Sequence, residues 1–272
     1  MTDISLRPSY WASVSGGKDS LFMLYLILKN PDKYKLDGVV HFELEIDYPF
    51  VKSVIDYMQK EVEKLGIPFL RLKPLHTWEE LYYKKLPNGN IRGFPTRKAR
   101  WCNSNYKLSA RSSLLSIMKQ KGFDVIFYIG YCADEVKRYA HRSFGFYKEI
   151  YPLVSENVLE ADIWTWAKKQ PIFNDYYLYN KRLGCMYCPM ASRMAIAYLS
   201  MYYPSNYCYM IEKMRETEKI RESELGVPFS ILSGNPYYNT DYLVNNIEEV
   251  WLPKLRKMHT YQPISIFDIY EQ

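Results

Sequence analysis

The sequence predicts an α/β domain in which a parallel sheet is flanked by helices. Short apolar runs alternate with helical patterns through the first half of the chain, which is typical of strand–helix–strand units with right-handed crossovers. A glycine-rich loop at residues 15–20 separates the first strand candidate from the first helix candidate. Residues 123–131 form a strongly apolar run, which predicts a further strand of the same sheet.

The elements follow one another in a regular order. Residues 10–14 and 37–42 predict strands, and residues 19–29 predict a mostly buried helix that ends before Asn30 and Pro31. Residues 50–65 predict an amphipathic helix. Its apolar face comprises Val51, Val54, Ile55, Met58, Val62 and Leu65. The remaining predicted elements of this half are a strand at 67–72, a helix at 104–120 and the strand at 123–131.

The second half of the chain has a different character. Residues 86–97 are rich in breakers and predict a loop that would serve as an active-site flap. After Leu153 the pattern becomes mostly helical, with a cysteine loop at 184–189. We therefore predict an α/β domain over residues 1–153 and a helical C-terminal region over 154–272, packed together as one unit.

Composition excludes several classes of protein. The chain has 272 residues, of which 48% are hydrophobic and 24% charged, so it is not expected to be disordered. Its longest apolar run, residues 21–28, is far shorter than the roughly twenty residues of a bilayer span. The N-terminus lacks a signal-peptide core, so we expect a cytoplasmic protein with no membrane contact. The net charge of +6 suits a polyanionic ligand.

Residues 15–20 predict a phosphate site. Two glycines let the backbone turn tightly so that successive amides face an anion, and the N-terminus of the new helix adds its free N–H groups. The alternative is an ordinary strand–helix turn. A Walker A loop is excluded because Ala12 stands where it needs glycine and Asp19 where it needs Ser or Thr. The predicted ligand residues are Ser15, Gly16, Gly17, Lys18, Asp19 and Ser20.

The loop Ser-Gly-Gly-Lys-Asp-Ser resembles the pyrophosphate loop of the PP-loop ATP pyrophosphatase superfamily. Four later segments are similar to its phosphoadenylylsulfate (PAPS) reductase-like family, and in particular to phage-type members with a Cys…Cys-x-x-Cys pattern. These segments are Arg100–Lys107, Gly130–Arg138, Tyr151–Leu153 and Gly184–Pro189. The resemblance covers roughly residues 8–215. It implies a five-stranded, adenine-nucleotide-α-hydrolase-like (Rossmann-like) sheet.

The chain departs from that family in two places. Residues 43–49, beginning with Glu43, replace the usual Asp-Thr-Gly stretch that contacts the nucleotide. No cysteine follows Cys208, whereas the reductases carry a catalytic thiol in a C-terminal Glu-Cys-Gly-x-His segment. The resemblance still implies nucleotide contacts at Glu43, Gly130 and Lys107.

Four of the five cysteines are candidate metal ligands. Cys185 and Cys188 have the spacing that lets two thiolates reach one metal, and the resemblance implies Cys102 as a third ligand. Cys208 is the candidate for the fourth. We expect a [4Fe–4S] cluster, with structural Zn²⁺ or unliganded thiols as alternatives. Cys132 is expected to be a small buried hydrophobe.

Charged residues complete the predicted site. Asp134 and Arg138 follow the strand at 123–131 and are four residues apart, so they would share one helix face. Asp134 would hold Mg²⁺ on a triphosphate and Arg138 would clamp a phosphate. The alternative is a surface ion pair. Lys107 belongs to a basic cluster that would contact phosphate or lie on a solvated face, together with Arg97, Lys98 and Arg100. The histidines, His41, His76, His141 and His259, are expected to be structural.

These observations predict an enzyme that binds ATP or a related adenylyl nucleotide. Lys18, Asp19, Asp134 and Arg138 would act in adenylylation with release of pyrophosphate, followed by sulfur transfer. The expected partners are a sulfur-donor protein and a tRNA or DNA acceptor, and a homodimer is compatible. Replacing Lys18 should weaken triphosphate binding and leave the fold intact. Two alternatives remain, a PAPS or APS reductase and a non-catalytic nucleotide- or cluster-binding regulatory module.

Overall fold

The structure is a computed structural model that describes residues 6–139, 148–232 and 235–260. The chain divides into two compact units, one of residues 1–75 and 106–173 and the other of residues 76–105 and 174–272. This division differs from the boundary expected after residue 153. The chain leaves the first unit after its third strand and returns to it at Tyr106.

The first unit contains a five-stranded sheet in which every neighbouring pair is parallel. The order of the strands across the sheet is β3-β2-β1-β4-β5. The predicted α/β class is confirmed. The strands are β1 (Arg7–Val14), β2 (Gly38–Phe42), β3 (Phe69–Leu72), β4 (Phe123–Tyr128) and β5 (Lys148–Ile150).

Helices of the first unit lie between these strands and after the last one, and the remaining helices belong to the second unit. Two stretches of π-helix also occur, at Cys102–Lys107 and Ile247–Trp251. A short 3₁₀ turn covers Pro236–Tyr238. In chain order the α-helices are α1 (Lys18–Lys29), α2 (Pro49–Glu63), α3 (Trp78–Tyr83), α4 (Leu108–Gln120), α5 (Val136–Tyr139), α6 (Pro152–Ser155), α7 (Glu160–Ala167), α8 (Tyr176–Tyr179), α9 (Arg193–Tyr202), α10 (Pro204–Leu225), α11 (Thr240–Asn246) and α12 (Leu252–Thr260).

The apolar face predicted for α2 is buried, with one exception. Proline occupies the first turn, where its missing N–H costs nothing, and five of the six predicted face residues are buried. Leu65 is 61% exposed. It lies beyond the last helical residue, Glu63, so the helical period no longer directs its side chain toward the core.

Large apolar side chains hold the central strands of the sheet against their helices. Trp11, Val40, Val125 and Phe127 form one buried cluster with Leu114 of α4. A glycine is needed beside this cluster, because a Cβ on Gly38 would lie 2.5 Å from the Trp11 ring. This close packing fixes the position of β1, whose carboxyl end carries the glycine-rich loop.

Aromatic side chains build much of the second unit. The Trp78 ring lies within 5.3–5.7 Å, centroid to centroid, of four other rings. Those rings belong to Tyr82, Phe94, Trp101 and Tyr187. Many of the 27 tyrosines are therefore packing residues, as aromatic pairs in edge-to-face and stacked contacts stabilise a core.

The segment predicted as a flap is a structured turn within the second unit. The Leu86 amide donates to the Asn90 carbonyl over 2.8 Å. Gly93 adopts a positive φ of 74°, and a Cβ there would lie 2.8 Å from the Thr217 methyl group on α10. The Thr217 hydroxyl accepts a 2.8 Å bond from the amide of buried Phe94. These contacts tie the segment to α10.

In the part of the chain that the structure describes, none of the helices combines the length and apolar character needed to cross a bilayer.

Candidate nucleotide site

The glycine-rich loop lies where the order of strands in the sheet reverses. Strands β1 and β4 are neighbours, and the segments that leave them diverge to opposite sides. In an open parallel sheet, ligands bind outside the carboxyl ends of the strands at such a point. Residues 15–20 follow β1, and residues 129–135 follow β4. A Cβ on Gly130 would lie 2.9 Å from the Asp19 carbonyl oxygen, so the two segments approach as closely as backbones can.

Hydrogen bonds within the loop fix its shape. Gly16 has a φ of 74°, and a Cβ there would lie 2.8 Å from a methyl group of Val51. The Ser20 hydroxyl donates to the Gly17 carbonyl over 2.9 Å and accepts from the Ser15 amide over 3.1 Å. Gly17 begins α1 without a side-chain cap. The first turn of a helix points its backbone N–H groups toward such a loop, where an anion can accept from them.

Lys18 is buried and ion-paired. Its side chain is 2% exposed, and its Nζ lies 2.6 Å from Asp19 Oδ1 and 3.2 Å from Glu160 Oε1. The ammonium also lies 5.1 Å from the centroid of the Trp164 ring. Glu160 and Trp164 belong to α7, more than 140 residues away in sequence. No local pattern singled out either residue, because only the fold brings α7 to the loop.

A thiol and a carboxyl group lie side by side next to the loop. Cys132 Sγ is 3.9 Å from Asp19 Oδ1. Burial raises the pKa of the Asp19 carboxyl, although the adjacent Lys18 opposes the shift. Burial, followed by the charges of Asp19 and Glu135, raises the pKa of Cys132 to about 12. The thiol stays protonated at neutral pH. Its burial, with 1% of the residue exposed, matches the expectation for Cys132.

Asp134 and Arg138 do not form the pair expected from their spacing. Helix α5 begins only at Val136, so Asp134 precedes it and the four-residue spacing does not align the two side chains. Asp134 instead accepts a 3.3 Å bond from the Glu160 amide at the start of α7. Arg138 pairs with Glu135 over 2.8 Å and lies 4.5 Å from the centroid of the Tyr131 ring. Their roles toward Mg²⁺ and phosphate stay predictions.

The segment after β2 contributes a further perturbed carboxyl. Burial raises the pKa of Asp47 to about 6, although the charge of Lys107 lowers it and that of Glu43 raises it. Glu43 and Lys107 are thus within electrostatic reach of one carboxyl. The Glu45 amide donates to the Tyr106 hydroxyl over 3.2 Å. Sequence reasoning missed Asp47 and Tyr106. The nucleotide contacts expected of Glu43, Gly130 and Lys107 stay predictions.

The described histidines have structural surroundings. His41 is buried beside the loop, with Nδ1 3.0 Å from the Val14 carbonyl oxygen, and burial lowers its pKa. His76 lies 3.5 Å from Glu80, and His259 contacts two tyrosine hydroxyls. His141 lies outside the described residues.

The four candidate metal ligands all belong to the second unit. Cys102 and Cys185 are buried, Cys188 is half-buried and Cys208 is exposed. Among the residues described here, no three His, Cys, Asp or Glu side chains are placed to hold one metal ion. Cys102, Cys185, Cys188 and Cys208 as ligands of a [4Fe–4S] cluster or a Zn²⁺ ion stay a prediction, and no chemistry is routed through either.

Helix geometry accounts for the position of Cys208. Cys188 lines a cavity together with Met210 of α10. Cys208 lines a different groove on the same helix, beside Glu212. Two residues apart on a helix correspond to about 200° of rotation, so Cys208 and Met210 face nearly opposite directions. Cys188 and Cys208 therefore line different surfaces of the second unit, and the role of Cys208 as a fourth ligand stays a prediction.

No known family model matches the chain. An uncharacterized protein of Methanocaldococcus jannaschii is 28% identical over 208 residues, which is 71% of this chain and 44% of that protein. The chain therefore spans less than half the length of this curated relative.

Two solved structures give a measure of structural likeness. The FMN adenylyltransferase of Candida glabrata in complex with ATP has a TM-score of 0.40 at 15% identity, covering 68% of this chain and 53% of its own. The U34-tRNA thiolase of Methanococcus maripaludis with its [4Fe–4S] cluster has a TM-score of 0.37 at 15% identity, covering 90% and 83%. At these scores the likenesses carry no argument about the chemistry of this chain.

Proposed function

We propose that the chain binds ATP at residues 15–20 and transfers the adenylyl group to an oxygen nucleophile, releasing pyrophosphate. The observation that carries this proposal is the glycine loop that leads into the N-terminus of α1 at the reversal point of the sheet. Such a site presents amide N–H groups and a helix dipole to phosphate. The resemblance of residues 15–20 to the pyrophosphate loop supports the same nucleotide.

The residues of the loop have separable tasks in this proposal. The backbone amides and Lys18 hold the β- and γ-phosphates and leave the α-phosphate open. The nucleophile oxygen bonds to the α-phosphorus while the bond from that phosphorus to the α–β bridging oxygen breaks, and pyrophosphate carries away the negative charge. Fixed donors facing developing charge supply most of the rate gain in such reactions.

Binding requires Lys18 to change partners. Its ammonium contacts Asp19 and Glu160, and in this proposal a phosphate oxygen replaces one of these carboxylates. Asp19 and Asp134 would then be available to the Mg²⁺ that accompanies ATP. Magnesium needs only one or two protein carboxylates in a nucleotide site, because phosphates and water supply its other oxygens.

Sulfur transfer is the second part of the proposal. It rests on the resemblance to the PAPS reductase-like family and its thiolating relatives. A sulfur nucleophile would attack the adenylylated carbon, and AMP would leave with the electron pair of the broken C–O bond. A donor protein would supply the sulfur, and tRNA or DNA would be the acceptor. Cys132 is not the nucleophile, because its raised pKa keeps the thiol protonated.

The test compares wild type, Lys18→Met and Lys29→Met in ATP binding and ATP–pyrophosphate exchange. Lys29 is a matched control because it is an exposed lysine at the other end of α1. A lost charge-assisted contact costs about 1.5–3 kcal/mol, so ATP affinity should fall by about tenfold or more in Lys18→Met. Lys29→Met should bind normally. Equal affinities in all three proteins would contradict the site. Tight binding without exchange, with tRNA or DNA supplied, would indicate a regulatory module instead.

A further inference from the structure

The second unit contains a cavity that the proposed reaction does not use. Its volume is about 200 Å³. It is lined mostly by apolar side chains, among them Phe94, Ile196, Met210, Met214, Ile231 and Leu243. Cavities of about 150 Å³ with this kind of wall hold a benzene molecule. The cavity therefore has room for a small organic group somewhat larger than benzene.

Two arginines interrupt the apolar wall. Arg97 and Arg193 both line the cavity, and among the described residues no Asp or Glu side chain does so. Within residues 6–139, 148–232 and 235–260, no ion pair or hydrogen bond involves either guanidinium. Guanidinium groups bind carboxylates and phosphates through paired N–H donors. Two cations without an ion-pair partner among the described residues, at an apolar cavity, are the kind of groups that recognise an anion.

The electrostatic surroundings agree with this geometry. Burial lowers the pKa of Arg193, and the like charge of Arg97 lowers it further. Tyr242 is the group that opposes the shift. The two guanidinium groups therefore lie close enough to repel each other, and an anion between them would remove that repulsion.

The start of α9 adds a third favourable feature. Arg193 is the first residue of this ten-residue helix, and Ala191, two residues earlier, also lines the cavity. The N-terminal end of the helix, with its partial positive charge, thus lies at the cavity wall. The Ser192 hydroxyl accepts from the Ala195 amide, which satisfies one of the first-turn N–H groups and leaves the dipole in place.

We propose that the second unit binds a small organic anion, with its carboxylate or phosphate held by Arg97 and Arg193 and its apolar body in the cavity. The half-buried thiol of Cys188 lines the same cavity, so a bound ligand would lie beside it. The site is built from residues of the second unit alone. Its occupancy does not depend on ATP binding at residues 15–20.

The experiment uses two fluorinated probes of the same ring size and different charge. Ligand-observed ¹⁹F NMR measures the binding of 4-fluorobenzoate and of neutral 4-fluorobenzyl alcohol to the full chain without ATP. The variants are Arg193→Gln, Arg97→Gln and the cavity-filling Ala191→Leu. Arg256→Gln is the matched control, because Arg256 is an exposed arginine of α12 that does not line the cavity.

Wild type and Arg256→Gln should bind the benzoate about tenfold or more tightly than the alcohol, since a charge-assisted contact contributes at least that factor. Arg193→Gln and Arg97→Gln should each reduce this preference, and Ala191→Leu should weaken both probes. Arg97 is exposed, so its variant tests the proposal even if another variant misfolds. Equal binding of the two probes by wild type, no benzoate binding, or an undiminished preference in Arg97→Gln would overturn the proposal. None of these results would bear on ATP binding.

Discussion

Replacing Lys18 with methionine should destabilise the protein as well as weaken ATP binding. Methionine keeps the length and apolar volume of the side chain and removes its charge. The lost cation leaves Asp19 and Glu160 facing each other without a counter-charge, and both carboxylates retain only about a quarter of their exposure, 26% and 27%. This prediction differs from the expectation drawn from the sequence, in which Lys18 was a ligand group with no part in the fold.

The magnitude follows from the burial of the three groups. Removing one partner of a fully buried ion pair costs about 3–5 kcal/mol, whereas an exposed pair contributes about 1 kcal/mol or less. With a buried cation and two partly exposed carboxylates, we expect the free energy of unfolding to fall by about 2 kcal/mol. For a chain of this size, that corresponds to a decrease in Tm of about 4–8 °C.

Thermal unfolding followed by circular dichroism measures the effect, with Lys29→Met as the control. The loss should shrink as the pH falls. Without Lys18, the folded-state pKa of Asp19 rises still further above its unfolded value, so the folded variant binds more protons than the unfolded chain and gains stability toward acid pH. If Lys18→Met melts at the wild-type temperature at neutral and at acid pH, the buried ion pair described here is refuted.

Three further predictions concern other parts of the chain. Asp47→Asn should raise the free energy of unfolding at pH 7.5 and have little effect near pH 4. The folded-state pKa of about 6 makes ionisation of Asp47 cost up to about 3 kcal/mol at neutral pH. Urea unfolding at both pH values measures the difference, and equal effects would contradict the raised pKa. Gly16→Ala should lower the free energy of unfolding by about 1–2 kcal/mol and weaken ATP binding, because the φ of Gly16 is 74° and a Cβ there would meet Val51. Unchanged melting and ATP titration curves would contradict this prediction. Cys208 should be alkylated by iodoacetamide much faster than buried Cys102, as peptide mass spectrometry of timed samples will report, and equal rates would show that the exposure is wrong.

Much of the first unit could be predicted from the sequence because its signals are local. The predicted helix at 19–29 matches α1 within one residue, and the predicted strand at 10–14 lies inside β1 but omits its first three residues. Strand β5, Lys148–Ile150, was missed because three residues with two charges carry no apolar pattern. Helix α3 was missed as well. Its signal, a capping box from Thr77 to Glu80, precedes a run of only six helical residues.

The candidate site also has a part that local sequence signals predict and a part that they do not. The loop at 15–20 could be predicted because its features are local. Its glycines turn the backbone, and the helix follows directly. Asp134 and Arg138 were assigned to one helix face from their spacing alone. In the structure, α5 begins at Val136, two residues after Asp134. The distance in sequence between Asp134 and Arg138 does not show where a helix starts, so it could not place them on one face.

The sequence by itself determined the parallel α/β class and the glycine-rich loop between β1 and α1, and it predicted a phosphate site there and a set of metal-binding thiols. Only the tertiary structure decided which groups meet. It brought Glu160 to Lys18 across 142 residues, placed Cys188 and Cys208 in the linings of different pockets, and gave Arg97 and Arg193 a common cavity. The physical reason is that short-range patterns follow from backbone geometry and local hydrogen bonding. Contacts between distant residues depend on how the whole chain buries its apolar surface.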